Sequence, residues 1–190
     1  MATPTLGFGS TTPELISFFA GGEFVDEPQE GGGIFAAGAA DTPNIFFFGD
    51  TNDVSVGGDE VDIHQGGGGE DNLNGAGGSD FIFGGTGDDI VRGGTGDDVV
   101  VGGVGADLAI GGAGADVFEF FAFQFEADQA FDVIQDFEAG LDSIVVVGST
   151  DTTFDPVSGI VSVDGADVIS LTAGLDDLEV VTRENSTVIA

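Results

Sequence analysis

Residues 66–119 read GGGGEDNLN, GAGGSDFIF, GGTGDDIVR, GGTGDDVVV, GGVGADLAI and GGAGADVFE, one nine-residue phrase repeated six times without a gap. The phrase is Gly-Gly-x-Gly-x-Asp-x-apolar-x. Glycines at positions one, two and four permit a tight turn and a close approach of backbones that side chains would block. Position six carries Asp71, Asp80, Asp89, Asp98, Asp107 and Asp116. The last three residues alternate outward, inward, outward, as a short strand does. That turns Leu73, Ile82, Val91, Val100, Ala109 and Phe118 inward.

Each unit therefore makes one turn and one strand, and two units close one coil. Stacked coils give an all-β fold, a parallel β-roll with two parallel sheets and a stack of turns along each edge. Turns on one edge recur every eighteen residues, so Asp71 aligns with Asp89 and Asp107, and Asp80 with Asp98 and Asp116. Neighbouring turns then offer carboxylates and carbonyls around an ion between them. The carbonyls expected to take part are those of Gly67, Gly69, Gly85, Gly87, Gly94, Gly96, Gly103, Gly105, Gly112 and Gly114. Oxygen-only ligation by several flexible donors suits Ca2+ rather than zinc or copper, and several ions are expected.

The register also runs backwards from Gly66. Residues 57–65 (GGDEVDIHQ) keep both leading glycines and Asp62, while residues 48–56 (FGDTNDVSV) keep Gly49 and Asp53. Counting these as degraded repeats gives about eight units and four coils, with Asp53 and Asp62 as further ligand positions. Ser55 and His64 fall at inward positions, which marks this as the weaker end.

The nonapeptide resembles that of the RTX (repeats-in-toxin) calcium-binding proteins. That resemblance implies a calcium-bound roll, and passage out of Gram-negative cells by type I secretion with an uncleaved C-terminal signal. Residues 131–145 (FDVIQDFEAGLDSIV) resemble the segment closing the roll in serralysin-type C-terminal domains. By that resemblance Asp132 and Asp136 contribute a terminal calcium site, with Asp142 a weaker candidate. Beyond it, residues 160–163 and 167–171 alternate around Asp164-Gly165, a β-hairpin signal. The end, residues 185–190 (NSTVIA), has the small and apolar character of type I signals.

Composition sets outer limits. The 190 residues carry 35 acidic and two basic side chains (Arg92 and Arg183), a formal charge of −33. Such a chain is no natural partner for nucleic acid, and anionic membrane surfaces repel it. Without divalent ions the stacked carboxylates repel one another and the glycine-rich backbone gains little by ordering. Calcium binding and folding are therefore expected to be one event. There is no cysteine, so neither disulfides nor thiolate sites arise. No Sec signal peptide and no membrane-spanning stretch is visible.

Residues 1–47 match no motif but hold Phe8, Phe18, Phe19, Phe24, Phe35, Phe46 and Phe47. Disordered segments lack aromatics, so this segment is expected to pack on the roll or on a neighbour. The domain reading is thus residues 1–47 as a Phe-rich N-terminal segment, 48–119 as the roll, and 120–190 as a β-rich C-terminal cap with the secretion signal. Outward residues of one sheet, Ile63, Phe81, Phe83, Val99, Val101 and Val117, form an apolar stripe that a flank or a second copy must cover.

Catalytic motifs are not found. His64 is the single histidine, which excludes an HExxH zinc site, and paired acids such as Asp88-Asp89 are turn residues. No enzyme activity is expected. The leading reading is an extracellular calcium-binding structural, matrix or surface-layer protein that self-associates as a homo-oligomer or filament. The alternative is a module that binds cell-surface polysaccharide or assists secretion and folding.

Overall fold

The computed structural model describes residues 14–17, 23–25, 34–128, 131–149, 151–172, 180–183 and 186–189. In chain order its strands begin with β1 (Glu14–Ser17), β2 (Glu23–Val25), β3 (Ile34–Ala37), β4 (Ile45–Phe47) and β5 (Val54–Val56). The repeats form β6 (Ile63–Gly68), β7 (Asn72–Gly77), β8 (Phe81–Thr86), β9 (Ile90–Thr95), β10 (Val99–Val104), β11 (Leu108–Ala113) and β12 (Val117–Phe121). Helix α1 (Ala122–Asp128) follows, then β13 (Asp132–Ile134), β14 (Ser143–Val147), β15 (Thr152–Asp155), β16 (Ile160–Val163), β17 (Ala166–Leu171), β18 (Val180–Arg183) and β19 (Ser186–Ile189).

Strands alternate between two sheets, as a two-unit coil requires. One sheet runs β1-β3-β5-β7-β9-β11-β13-β17-β16-β15, the other β18-β19-β14-β12-β10-β8-β6-β4-β2. Pairing through the repeats is parallel and offset by one coil: Leu73 faces Val91, which faces Ala109, which faces Ile134. On the other sheet Phe46, His64, Ile82, Val100, Phe118 and Ile144 form the matching column. Every member of both columns is buried. The roll is thin, so each coil adds one inward side chain per sheet. A buried Leu, Ile or Phe there contributes about 1.5–3 kcal/mol.

Ser55 and His64 meet inside the same coil, with Oγ and Nδ1 2.6 Å apart. Burial pushes the imidazole down to about 4, so it sits neutral beside the Phe46 ring. The Ser55 hydroxyl meets Nδ1, while Nε2 is buried without a hydrogen-bond partner.

Both flanks extend the sheets. Parallel pairs β3–β5 and β4–β6 carry the roll back beyond residue 48, and β1–β3 and β2–β4 continue it. The described part of the segment expected to pack on the roll or on a neighbour joins the roll by strand pairing. Residues 39–47 keep the register, with Asn44 at position six and Phe46 at position eight, so their strands add edgewise. Phe8, Phe18 and Phe19, and the terminal Asn185 and Ala190, lie outside the described residues.

Toward the C-terminus, β13 and β14 still pair in parallel with β11 and β12. Pairing then turns antiparallel in β15–β16–β17 and in β14–β19–β18. The expected hairpin is present: Asp164 and Gly165 both have positive φ (52° and 84°), as a type I′ turn demands. A short helix was not expected in a β-rich cap. In α1, the Gln124 side chain accepts from the Phe121 N–H at 2.9 Å, and the Phe120 and Phe125 rings stack 6.0 Å apart.

Helix α1 lies against β10, and the outward Val101 is buried, 4% exposed. The apolar stripe is thus covered at this end. Further along it, Phe81 and Phe83 stay 45% and 37% exposed.

Candidate metal centres

The position-six aspartates build two ladders along the edges of the roll. Each carboxylate accepts, through Oδ1, the backbone N–H of the equivalent residue one coil earlier. On one edge Asp53 N donates to Asp71 at 2.7 Å, Asp71 N to Asp89 at 2.7 Å, Asp89 N to Asp107 at 2.9 Å, and Asp107 N to Asp132 at 2.9 Å. On the other, Asn44 N donates to Asp62 at 2.6 Å, Asp62 N to Asp80 at 2.7 Å, Asp80 N to Asp98 at 2.8 Å, Asp98 N to Asp116 at 2.9 Å, and Asp116 N to Asp142 at 3.0 Å. The eighteen-residue alignments read from the repeat are therefore present.

The last rungs span 25 and 26 residues instead of 18. Helix α1 matches the excess of the first, since 25 − 18 is 7, its own length, and the second rung is one residue longer still, 26 − 18 being 8. Because the insertion hides the spacing, the repeat pattern did not nominate Asp142 as a ladder residue. Asp136 lies off the ladder and accepts both Gly111 N and Gly112 N at 2.9 Å.

Glycine makes the turns possible where backbones meet. A Cβ on Gly66 would overlap both the Asp71 carboxylate and the Gly84 carbonyl, and Gly75, Gly84 and Gly93 stand in equivalent places. At positions two and four the ten nominated glycines all take positive φ, for example Gly85 at 123° and Gly87 at 118°. The carbonyls of Gly67, Gly69, Gly85, Gly87, Gly94 and Gly96 occupy the space that a Cβ eighteen residues further on would need. Position two of the second repeat is Ala76, which holds φ 79° despite its Cβ, and position four there is Gly78 at 111°. These two complete the pattern that the list of carbonyls left open.

The second carboxylate oxygens decide the chemistry. Oδ2 of Asp71, Asp80, Asp89, Asp98 and Asp116 is buried and receives no hydrogen bond. Burial is the main force raising these acids from 3.8, to about 7 for Asp71, Asp80 and Asp89 and about 6 for Asp98 and Asp116. Backbone N–H donors pull the other way, and neighbouring carboxylates add to the rise. A buried, unsatisfied oxygen of this kind is expensive unless a cation or a proton meets it. Outside each ladder, Asp88 accepts Ala106 N and Asp97 accepts Ala115 N, both at 2.9 Å, which adds negative field at the turns.

The RTX calcium-binding nonapeptide repeat profile matches four overlapping stretches, residues 49–82, 56–91, 65–100 and 83–118. Residues 49–118 are RTX repeats. A search of curated proteins finds no match to the chain.

The RTX residues fit the ion their description implies. Orphaned carboxylate oxygens repeat along both edges, and the surrounding groups are carbonyls, the hard donors calcium prefers. Among the described residues no three acidic or imidazole side chains converge. An ion between turns would thus take at most two carboxylates, with backbone oxygens completing its shell. Asp62 departs from this pattern, because Gly58 N donates to its Oδ2 at 2.6 Å. Among the described residues no helix is long and apolar enough to cross a membrane.

Proposed function

We propose that this is a secreted, non-catalytic calcium-binding structural protein whose roll folds when it meets extracellular calcium. The row of buried Oδ2 atoms without donors carries the reading. Calcium bound between successive turns, by Asp71 with Asp89, Asp89 with Asp107, Asp80 with Asp98, and Asp98 with Asp116, neutralises each pair. Carbonyls at the position-two and position-four glycines complete the shells. Asp132 with Asp107 extends one row toward the C-terminus, whereas the other row ends at Asp142, whose two oxygens accept the Asp116 and Glu138 N–H groups. Emptied of calcium, a −33 chain with these oxygens buried opposes its own folding. In calcium-poor cytosol the chain stays unfolded, as passage through a type I exporter requires, and the exterior supplies the ion.

The exposed Phe81 and Phe83 support a role in self-association outside the cell. Light scattering of the full chain in calcium and then in chelator tests this. Calcium-dependent oligomers that Phe81→Ser with Phe83→Ser disperses support assembly. A monomer in calcium, unchanged by that double substitution, contradicts it.

A further inference from the structure

Position six of the turn before the first degraded repeats is occupied by Asn44 rather than aspartate. Its side chain is buried between turn 39–44 and turn 57–62, the position equivalent to the one proposed for calcium between turns further along. Asn44 Nδ2 lies 2.9 Å from Asp62 Oδ1, 3.0 Å from the Thr42 carbonyl and 3.1 Å from the Ala39 carbonyl. One carboxylate and two carbonyls around a single centre are the donors a hard cation collects. Here they collect around an amide nitrogen with two hydrogens.

The rest of the turn agrees with that substitution. Asn44 Oδ1 accepts Ala39 N at 3.0 Å, which fixes the amide with nitrogen toward the oxygens. The other Asp62 oxygen accepts Gly58 N. Gly58 is able to donate because it does not take the positive φ of Gly67 and Gly85 (98° and 123°). An N–H aimed at Oδ2 puts partial positive charge where an ion's charge would fall.

We propose that Asn44 is a built-in substitute for a metal ion, so that turns 39–44 and 57–62 close without calcium and give the roll a metal-independent end. This rests on the reading that calcium closes the turns of residues 66–116. It implies that Asp62 and Asn44 add no ion to the total, and that the folded roll has a start that calcium withdrawal leaves in place longest.

Two measurements on the full chain separate the claims. Calcium per folded chain, counted by elemental analysis after gel filtration, is expected to rise by one ion in Asn44→Asp, where a carboxylate joins Asp62 and the two carbonyls. Hydrogen exchange of wild type after a jump from calcium into chelator is expected to open Ala39, Asn44 and Gly58 about tenfold more slowly than Asp71, Asp80 and Asp89. An unchanged ion count in an Asn44→Asp chain that folds, or equal exchange in the two groups, overturns the inference. If Asn44→Asp does not fold, the wild-type exchange decides alone. A wild type that binds calcium yet opens uniformly overturns this inference but not the calcium reading, whereas one that binds no calcium overturns both.

Discussion

Asp62 and Asp142 stand at the two ends of one ladder, and Asp80, Asp98 and Asp116 stand between them. At both ends the carboxylate is saturated by N–H groups: Gly58 N and Asn44 serve Asp62, and Glu138 N at 2.8 Å with Asp116 N serve Asp142. In both cases the second oxygen is met by the backbone four residues earlier. Asp80, Asp98 and Asp116 keep the same first bond but have no donor at Oδ2. One ladder thus has two kinds of rung, carboxylates saturated by protein N–H groups at its ends and carboxylates with a donor at only one oxygen in its middle. The lesson is that the hydrogen-bond ladder alone does not make an ion site. The backbone conformation of the position-two residue does, by withholding or supplying an N–H.

The largest expected effect comes from breaking the middle of the ladder. Asp98→Ala removes a carboxylate that serves the turns on both sides of it. In calcium it should cost about 3–5 kcal/mol, the range for stranding buried charged partners. Denaturant unfolding in calcium measures this, together with a fall in bound ions. Asp62→Asn at the end is expected to leave the ion count unchanged; an equal loss of ions in the two variants would erase the contrast.

Acidity sharpens the same contrast. Asp71, Asp80, Asp89, Asp98 and Asp116 are raised to about 6–7 in the fold, from 3.8. Between those values the folded state holds more protons than the unfolded one, so stability of the ion-free roll falls as pH rises. In chelator the chain should therefore regain more sheet signal near pH 4–5 than near pH 7.5, where the ion-free roll is least stable. In calcium the order should reverse, because protons displace the ion from the same oxygens. Far-UV circular dichroism at the two acidities, with and without chelator, checks both signs.

Smaller effects follow at the margins of the roll. Val101→Asp places a charge beneath α1 and should destabilise by about 2–3 kcal/mol, whereas Phe83→Ser on the exposed part of the same face should cost less than about 1 kcal/mol in the monomer. Equal costs would mean that the helix does not protect the sheet. Ala76→Gly relieves the one residue of the repeats that holds a positive φ with a Cβ. It should stabilise the calcium-bound roll by about 1 kcal/mol, read from chemical denaturation.

Much of the architecture was legible because the nonapeptide encodes it locally. Glycine spacing gave the turns, position eight gave the buried columns down to Phe118, and Asp164-Gly165 gave the hairpin. Three features were hidden for physical reasons. Residues 39–47 join the roll although they lack the turn glycines, since Asn44 and Phe46 alone preserve the register. The place of Asp142 on the ladder could not be counted from the repeat, because helix α1 lengthens the last rung, while Asp136 lies off the ladder on the Gly111 and Gly112 N–H groups. The distinction between Asp62 and Asp80 lies in the φ of Gly58, and glycine in a sequence does not announce which sign of φ it takes.

The central claim is that calcium, by filling the middle of both ladders, folds the chain. A calcium titration of the full chain followed by far-UV circular dichroism tests it most directly, with bound ions counted in parallel. The account predicts little sheet signal in excess chelator, and a cooperative rise to a sheet-rich spectrum as calcium approaches roughly millimolar levels, with several ions bound per chain. A spectrum already rich in sheet in chelator, unchanged by calcium and accompanied by no bound ion, would contradict it.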